Sequence, residues 1–435
     1  MYLTSSRAGS CLRRNDGYKK AVLGILLTVI SFNLIAQEEY KEPKFTIRGY
    51  LKNMSTLSWS PYLADTLWYD NLTHNRLNFA YYPTDEFSVF IEMRNRLFVG
   101  SSVKNFPNYE ELIDSNNDFF NLSYNLIDTE SMVLNVMLDR VYVQWVKNDW
   151  EVKLGRQRIN WGVNLAWNPN DWFNAYSFFD FDYEERPGSD ALRVTYYTGV
   201  ASSFEVAAKI ADNTDDFVTA SMYKMNVKNY DIQFLGGLTQ GDVSLGTGWA
   251  GNLGLASIKG ELTYFIPVIE TTANTNYLQN PFDGVYIVDG SGNRIKQDER
   301  YSSMFLGAIS VDYSFANSLY LNGSVMYSSI GDYDANIFGS SLDQQYSSFT
   351  VRDLSPYPFS AFVQTSYQFS PLLFGGGALM YYPGTNNFFI NPFLTYSLVQ
   401  NLDIDLVGQL FYGDNQSGNY DAISKSLFIR TKWSF

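Results

Sequence analysis

Five carboxylates crowd one short stretch of this chain: Asp171, Asp180, Asp182, Glu184 and Glu185. Clustered acids can bind calcium, share acid–base work on a glycosidic bond, or impose a field on passing solutes. Asp180-x-Asp182-x-Glu184-Glu185 has the density of a calcium site. It lacks the glycine and the distant glutamate of an EF-hand loop, so no metal is expected. Paired acids are common along the chain, and no spacing selects one pair for glycoside hydrolysis. A hydrolase with an activated nucleophile needs a base beside it, and the single histidine, His74, is the only candidate imidazole. Beside Thr73 and near Asp70, it reads as an exposed residue at the rim of a strand. The single cysteine, Cys11, precedes an apolar run, which leaves neither a disulfide framework nor a thiolate site after it. No enzyme and no cofactor are expected.

The elements that position these groups are strands. Alternating runs of about ten residues, bounded by turn signals, recur eighteen times: 44–58, 73–82, 86–98, 133–147, 149–160, 188–198, 202–211, 216–227, 229–240, 243–250, 253–267, 300–315, 318–331, 358–369, 371–382, 387–399, 401–413 and 423–435. Tight junctions such as Pro83-Thr84-Asp85, Asn148, Lys228-Asn229, Gly251-Asn252, Ala316-Asn317, Ser370-Pro371 and Gln400-Asn401 all follow even-numbered runs. The long connections, 59–72, 99–132, 161–187, 268–299 and 332–357, all follow odd-numbered ones. Sorting of loops by parity is the asymmetry of a transmembrane barrel, with short turns at one end and long loops at the other. The fold expected is all-β, an antiparallel transmembrane β-barrel of about eighteen strands, with sixteen as the alternative.

The chain ends agree. Arg13, Arg14, Lys19 and Lys20 precede the apolar run Ala21–Ala36, which has the form of a signal peptide over residues 1–36. Residues 37–435 then form one barrel domain in the outer membrane, with no room for a large N-terminal plug. Removing five of the 31 basic and one of the 45 acidic residues leaves a net charge of −18, which excludes nucleic acid as a partner. Aromatic residues make up 17% of the chain, as girdles at two lipid interfaces require.

Alternation also sorts the faces. Phe45, Ile47 and Leu51 face lipid, while Arg48 and Lys52 face inward. The same reading turns Arg76, Arg94, Arg96, Arg140 and Arg193 inward, and the closing strand adds Arg430 and Lys432. These nine cations form a basic arc on one side of the lumen. Later strands contribute Asn322, Ser324, Gln364, Ser366 and Thr395 as neutral wall, with Asp403 and Asp405 as negative charge. Strand 149–160 resists the sorting: Val152 and Leu154 set a phase that turns Arg156 and Arg158 towards lipid. A bulge near Gly155 or exit from the membrane above it would relieve this.

Two segments carry a resemblance. The terminal strand, ending Leu427, Ile429, Thr431, Trp433 and Phe435 on one face, resembles the closing strand of outer-membrane barrels, whose last Phe is read by the barrel-insertion machinery. Gly155-Arg-Gln-Arg-Ile-Asn-Trp-Gly162, followed by Trp167-Asn168-Pro169-Asn170-Asp171, resembles a segment of porin-like outer-membrane proteins of Gram-negative bacteria. The resemblance implies that the loop after the fifth strand folds inward as a constriction, where Asp171, Asp180, Asp182, Glu184 and Glu185 would oppose the arginines. The alternative is an outer loop closing the mouth. The function expected is passive diffusion of small polar or anionic solutes. A non-conducting barrel for adhesion, assembly or export is the alternative. Outer-membrane lipid is the expected surround, and a homo-oligomer or a capping lipoprotein are further partners the sequence leaves open.

Overall fold

The computed structural model describes residues 43–60, 67–114, 118–182, 184–211, 217–267, 276–280, 284–288, 294–296, 303–331, 350–355, 357–414 and 420–435. The expected signal segment, 1–36, lies outside these residues, as does most of the connections 268–299 and 332–357. Eighteen wall strands follow in chain order: β1 (Phe45–Trp59), β2 (Leu67–Tyr81), β3 (Phe87–Gly100), β4 (Met132–Lys147), β5 (Trp150–Gln157) and β6 (Ser189–Gly199). Next come β7 (Ser202–Lys209), β8 (Val218–Val227), β9 (Tyr230–Thr239), β10 (Asp242–Leu253), β11 (Ala256–Pro267) and β12 (Met304–Ser314). The last six are β13 (Tyr320–Ser328), β14 (Phe359–Ser370), β15 (Leu373–Tyr382), β16 (Asn387–Val399), β17 (Leu402–Asp414) and β18 (Tyr420–Ser434).

Each strand pairs antiparallel with its chain neighbour, and β18 pairs with β1 from Tyr50↔Ser434 to Trp59↔Lys425. The sheet therefore closes, and closure removes the unpaired edge that an open sheet of this length would expose. Phe435 completes the seam, exchanging backbone hydrogen bonds with Gly49 at 3.0 and 2.9 Å. Outward-facing side chains form an apolar band: Leu154, Leu192, Leu245, Val311, Val363 and Ile429 are all exposed. The buried apolar residues lie on the lumen side instead, in a cluster that includes Trp161, Trp172, Phe265, Phe362, Phe389 and Phe411. This inverted arrangement is what a barrel in lipid requires. Among the described residues no helix is long and apolar enough to cross a membrane.

The expected strands differ from the observed ones in four places. β2 starts at Leu67 rather than at residue 73, because Asn71 interrupts its apolar face without ending its pairing. The turn expected at Gly251-Asn252 falls at Gly254-Leu255, where Gly254 adopts φ +67°. The 99–132 connection contains two helical turns, Ser101–Asn105 and Tyr109–Ile113, and an extra strand, Ser123–Thr129, paired with β4. At β5 the register runs through Leu154, Gly155 and Arg156 without a slip, so no bulge is present and the strand simply ends at Gln157.

Closure depends on close approach at Gly49. A Cβ there would collide with the Arg76 carbonyl oxygen and meet the Phe435 ring at 3.0 Å. Gly49→Val should cost about 1–3 kcal/mol by overpacking and lower the fraction of heat-modifiable folded barrel on a gel. Wild-type recovery would show that the seam tolerates the added side chain.

Candidate functional site

The connection from β5 to β6, residues 158–188, folds into the barrel and follows its inner wall nearly all the way round. An inward segment must find hydrogen-bond partners for its backbone away from bulk water. Glu261 on β11 supplies them. Fully buried, its carboxylate accepts the backbone N–H groups of Val163 at 2.6 Å, Asn164 at 2.9 Å and Asn170 at 2.9 Å. Each such bond contributes roughly 0.5–3 kcal/mol, the upper end applying to an ionised acceptor, so this one side chain anchors the first half of the loop.

Neighbouring wall residues reinforce it. Gln233 donates to the Trp161 carbonyl at 2.6 Å, and Trp161 Nε1 donates to Glu205 at 2.5 Å. Thr263 donates to the carbonyl of Pro169 at 2.8 Å, and Ser310 to Asn164 Oδ1 at 2.6 Å. Space for Asn170 and Trp172 comes from Gly246 and Gly248 on β10, where a Cβ would approach Asn170 to within 2.8 and 2.9 Å.

The loop then crosses to the opposite wall on aromatic contacts. Phe178 packs on Phe362, Phe179 on Phe389 and Phe411, and Phe181 on Phe428, with ring centroids 4.8–5.3 Å apart. Gln409 donates to the Phe179 carbonyl at 2.8 Å. The return to β6 passes Arg186, held at φ +61°, whose guanidinium stacks 3.7 Å from the Tyr176 ring.

At its far end the loop meets the basic arc. Asp182 pairs with Lys52 at 2.9 Å and with Arg430 at 3.0 Å, and His74 Nδ1 lies 3.6 Å away. Glu184 pairs with Lys432 at 2.7 Å and Arg430 at 3.4 Å. Glu185 accepts from the Tyr50 hydroxyl at 3.1 Å and sits 3.8 Å from Arg76. Wall carboxylates extend the network: Glu92 reaches Arg76 at 2.5 Å and Arg140 at 3.2 Å, Asp139 bonds Arg76 and lies 3.1 Å from Arg94, and Asp405 holds Arg430 at 2.8 Å. Arg96 donates to Asn135 and to the Ile113 carbonyl. Seven cations (Lys52, Arg76, Arg94, Arg96, Arg140, Arg430, Lys432) thus share a belt with six carboxylates, so the arc is nearly neutral rather than strongly basic.

Asp139 was not anticipated from the strand pattern. The register of β3 with β4 shifts between Glu92 and Met93, pairing Glu92 with Arg140 and Met93 with Leu138. Asp139 is the extra residue of a β-bulge, which turns it and Arg140 to the same side. A signal existed: Val133, Asn135, Met137 and Asp139 alternate in one phase, Arg140, Tyr142 and Gln144 in the other. The remaining expected residues fall elsewhere. Arg48 is exposed at the short-turn end of β1. Arg193 pairs with Glu205 at 2.5 Å on another wall. Arg156, turned lipid-ward by alternation, is buried in a two-bond pair with Asp190 at 2.9 and 2.7 Å, and the Phe120 backbone closes the group by donating its N–H to Asp190 and accepting from Arg156. Arg158 turns towards the loop, its guanidinium 6.0 Å from the Tyr176 ring. His74 is 2% exposed within the lumen wall, which overturns its placement at an exposed rim; its alternation partner Arg76 is equally buried.

Asp171 and Asp180 stand apart from the belt. The Asp180 backbone carbonyl accepts from Arg186 at 3.1 Å. Asp171 is buried at 1% exposure inside the loop, and neither carboxylate oxygen has a hydrogen bond of ordinary length. Burial holds its proton well above the usual carboxylate range; Arg158 opposes this and Glu261 adds to it. Asp182 behaves oppositely: burial disfavours its charge, but the His74 contact, Lys52 and Arg430 outweigh burial and hold it below the usual range.

Solved structures with the same architecture include Acinetobacter baumannii OccAB4, at 10% identity over 91% of this chain and 99% of that one, TM-score 0.53. Pseudomonas aeruginosa OccK8 (OprE) matches at 9% identity over 90% and 98%, TM-score 0.51. Acinetobacter baumannii OccAB1 matches at 13% over 92% and 99%, TM-score 0.50. No protein-family model and no curated protein matches the chain. At such low identity the likeness is one of fold alone: the chain shares with these structures a closed, eighteen-stranded antiparallel β-barrel.

The raised Asp171 proton affinity sets a pH dependence. Between the ordinary carboxylate value, about 3.9, and the raised folded value, the folded state holds a proton the unfolded state has lost. Its contribution to stability is therefore present at low pH and lost as pH rises through that window. Asp171→Asn should stabilise the barrel at neutral pH by roughly 1–3 kcal/mol. It should also flatten the gain on acidification, both read as thermal unfolding midpoints across pH. A destabilised variant at neutral pH would contradict this.

Proposed function

We propose that the protein is a passive outer-membrane channel for small polar solutes, with the 158–188 loop as its constriction. One observation carries this reading: the loop is built into the lumen, anchored to Glu261 on one wall and to Lys52 and Arg430 on the other. Carboxylates on the inserted loop and cations on the facing wall create a transverse field. Such a field orients dipolar solutes and exchanges their hydration for charged wall groups. The near balance of charge in the belt supports zwitterionic and neutral polar solutes alongside anions. Bare cations on the wall would favour anions more strongly.

The aromatic packing of the loop against Phe362, Phe389 and Phe411 favours a second reading, a barrel that does not conduct and serves adhesion, assembly or export. Single-channel recording of purified protein in a planar bilayer separates the two. The channel reading expects discrete, small conductance steps; none would sink it. Combining Asp182→Asn, Glu184→Gln and Glu185→Gln should unmask the wall cations and raise anion-over-cation permeability severalfold, read as a reversal potential in a salt gradient. Unchanged selectivity would remove the belt from the conduction path.

A further inference from the structure

Cations of the belt are nearly matched by carboxylates, so an unmatched charge elsewhere on the loop weighs more on the passage. Arg158 and Asp171 are two such charges, of opposite sign, and both belong to the neck where the start, middle and end of the loop meet. Asn174 ties this neck together, accepting the Ile159 N–H at 2.9 Å and donating to Ser189 at 2.9 Å.

Among the described residues Arg158 makes no hydrogen bond and no ion pair. Its Nε is buried without a partner, and its guanidinium lies 6.0 Å from the centre of the Tyr176 ring. The residue as a whole is half-buried, so its terminal nitrogens keep contact with water. Asp171 is the opposite orphan, buried in the same neck with neither carboxylate oxygen bonded at ordinary length.

The other groups that face Asp171 are already engaged. Arg186, at the end of the loop, stacks 3.7 Å from the Tyr176 ring and donates to the Asp180 carbonyl at 3.1 Å. The Tyr176 hydroxyl accepts from Asn168 at 3.4 Å. Glu261, from β11, is an acid that disfavours a second negative charge and is occupied by the backbone N–H groups of Val163, Asn164 and Asn170. Burial above all keeps the proton on Asp171, and Arg158 is the largest influence in the other direction. A neutral acid at this depth tolerates having no partner far better than an ionised one does. Arg158 is the cation that gives up no bond in becoming that partner.

We propose that Arg158 and Asp171 form a charge switch at the neck of the loop. While Asp171 holds its proton, the Arg158 guanidinium stands free in the passage and favours anions. Once the proton leaves, the carboxylate draws Arg158 into a charge-assisted pair, and neither charge then acts alone on a solute. Anion preference is therefore greatest on the acid side and fades as pH rises through the range where Asp171 ionises. The change in selectivity rests on the channel reading, whereas the pairing does not.

Reversal potentials in a salt gradient, taken stepwise from mildly acidic to alkaline baths, test the switch. Wild type should lose anion-over-cation permeability severalfold across that range. Asp171→Asn should keep the acid-side preference throughout, Arg158→Gln should show the weak alkaline preference throughout, and Arg158→Lys should restore the wild-type response. An Asp171→Asn channel that still loses its preference, or an Arg158→Gln channel that still has it in acid, overturns the proposal. A readout independent of conduction is the infrared carbonyl band of protonated Asp171, identified as the band missing from Asp171→Asn. Its titration should move up by roughly one to three pH units in Arg158→Gln, because the ionised form loses its partner. An unmoved titration overturns the pairing even in a barrel that conducts. A moved one upholds the pairing even if wild-type bilayers stay silent and the channel reading falls.

Discussion

A chain segment that enters a barrel must replace the water it gives up, and Glu261 is the replacement on which this structure turns. Three backbone N–H groups of the loop converge on that one buried carboxylate. The surrounding wall is shaped to the same purpose, with glycines at 246 and 248 opening space and Gln233, Thr263 and Ser310 completing the bonding. Without such an anchor the loop would gain more from solvent outside than from the lumen. With it, the rest of the path follows: aromatic contacts carry the loop across, and Asp182 docks it among Lys52, His74 and Arg430.

The loop's second anchor changes what the wall can do. Cations that alternation places on one side of the lumen are met there by acids from three sources: the loop, the bulge at Asp139, and the strand pairs at Glu92 and Asp405. Breaking a buried pair by removing one partner is far more costly than the pair itself is stabilising. The belt therefore behaves as a unit that fixes loop position, and in the proposed channel the same side chains would also set the field that solutes meet.

Much of the fold was legible because lipid imposes a strict period. A strand with lipid on one side must alternate, and loop parity follows from antiparallel closure, so strand number and inward Lys52, Arg76, Arg94 and Arg430 could be read directly. What alternation cannot see is any place where the period breaks. Asp139 hides in a bulge; Arg156 sits at a strand end, held by Asp190 and the Phe120 backbone; and Asn71 on β2 is polar although it faces outward, which hides the start of that strand. Glu261 was missed for a different reason. One inward acid among many carries no mark of its loop partners, which lie some ninety residues away in sequence.

Glu261 holds the 158–188 loop against the inner wall, and in the proposed channel that loop is the narrows. The most direct test of this compares wild type with Glu261→Ala in a planar bilayer, measuring single-channel conductance and the largest neutral polymer admitted. The variant should show larger conductance steps and a larger polymer cutoff as the loop detaches from β11. Identical conductance and cutoff in a correctly folded variant would contradict it.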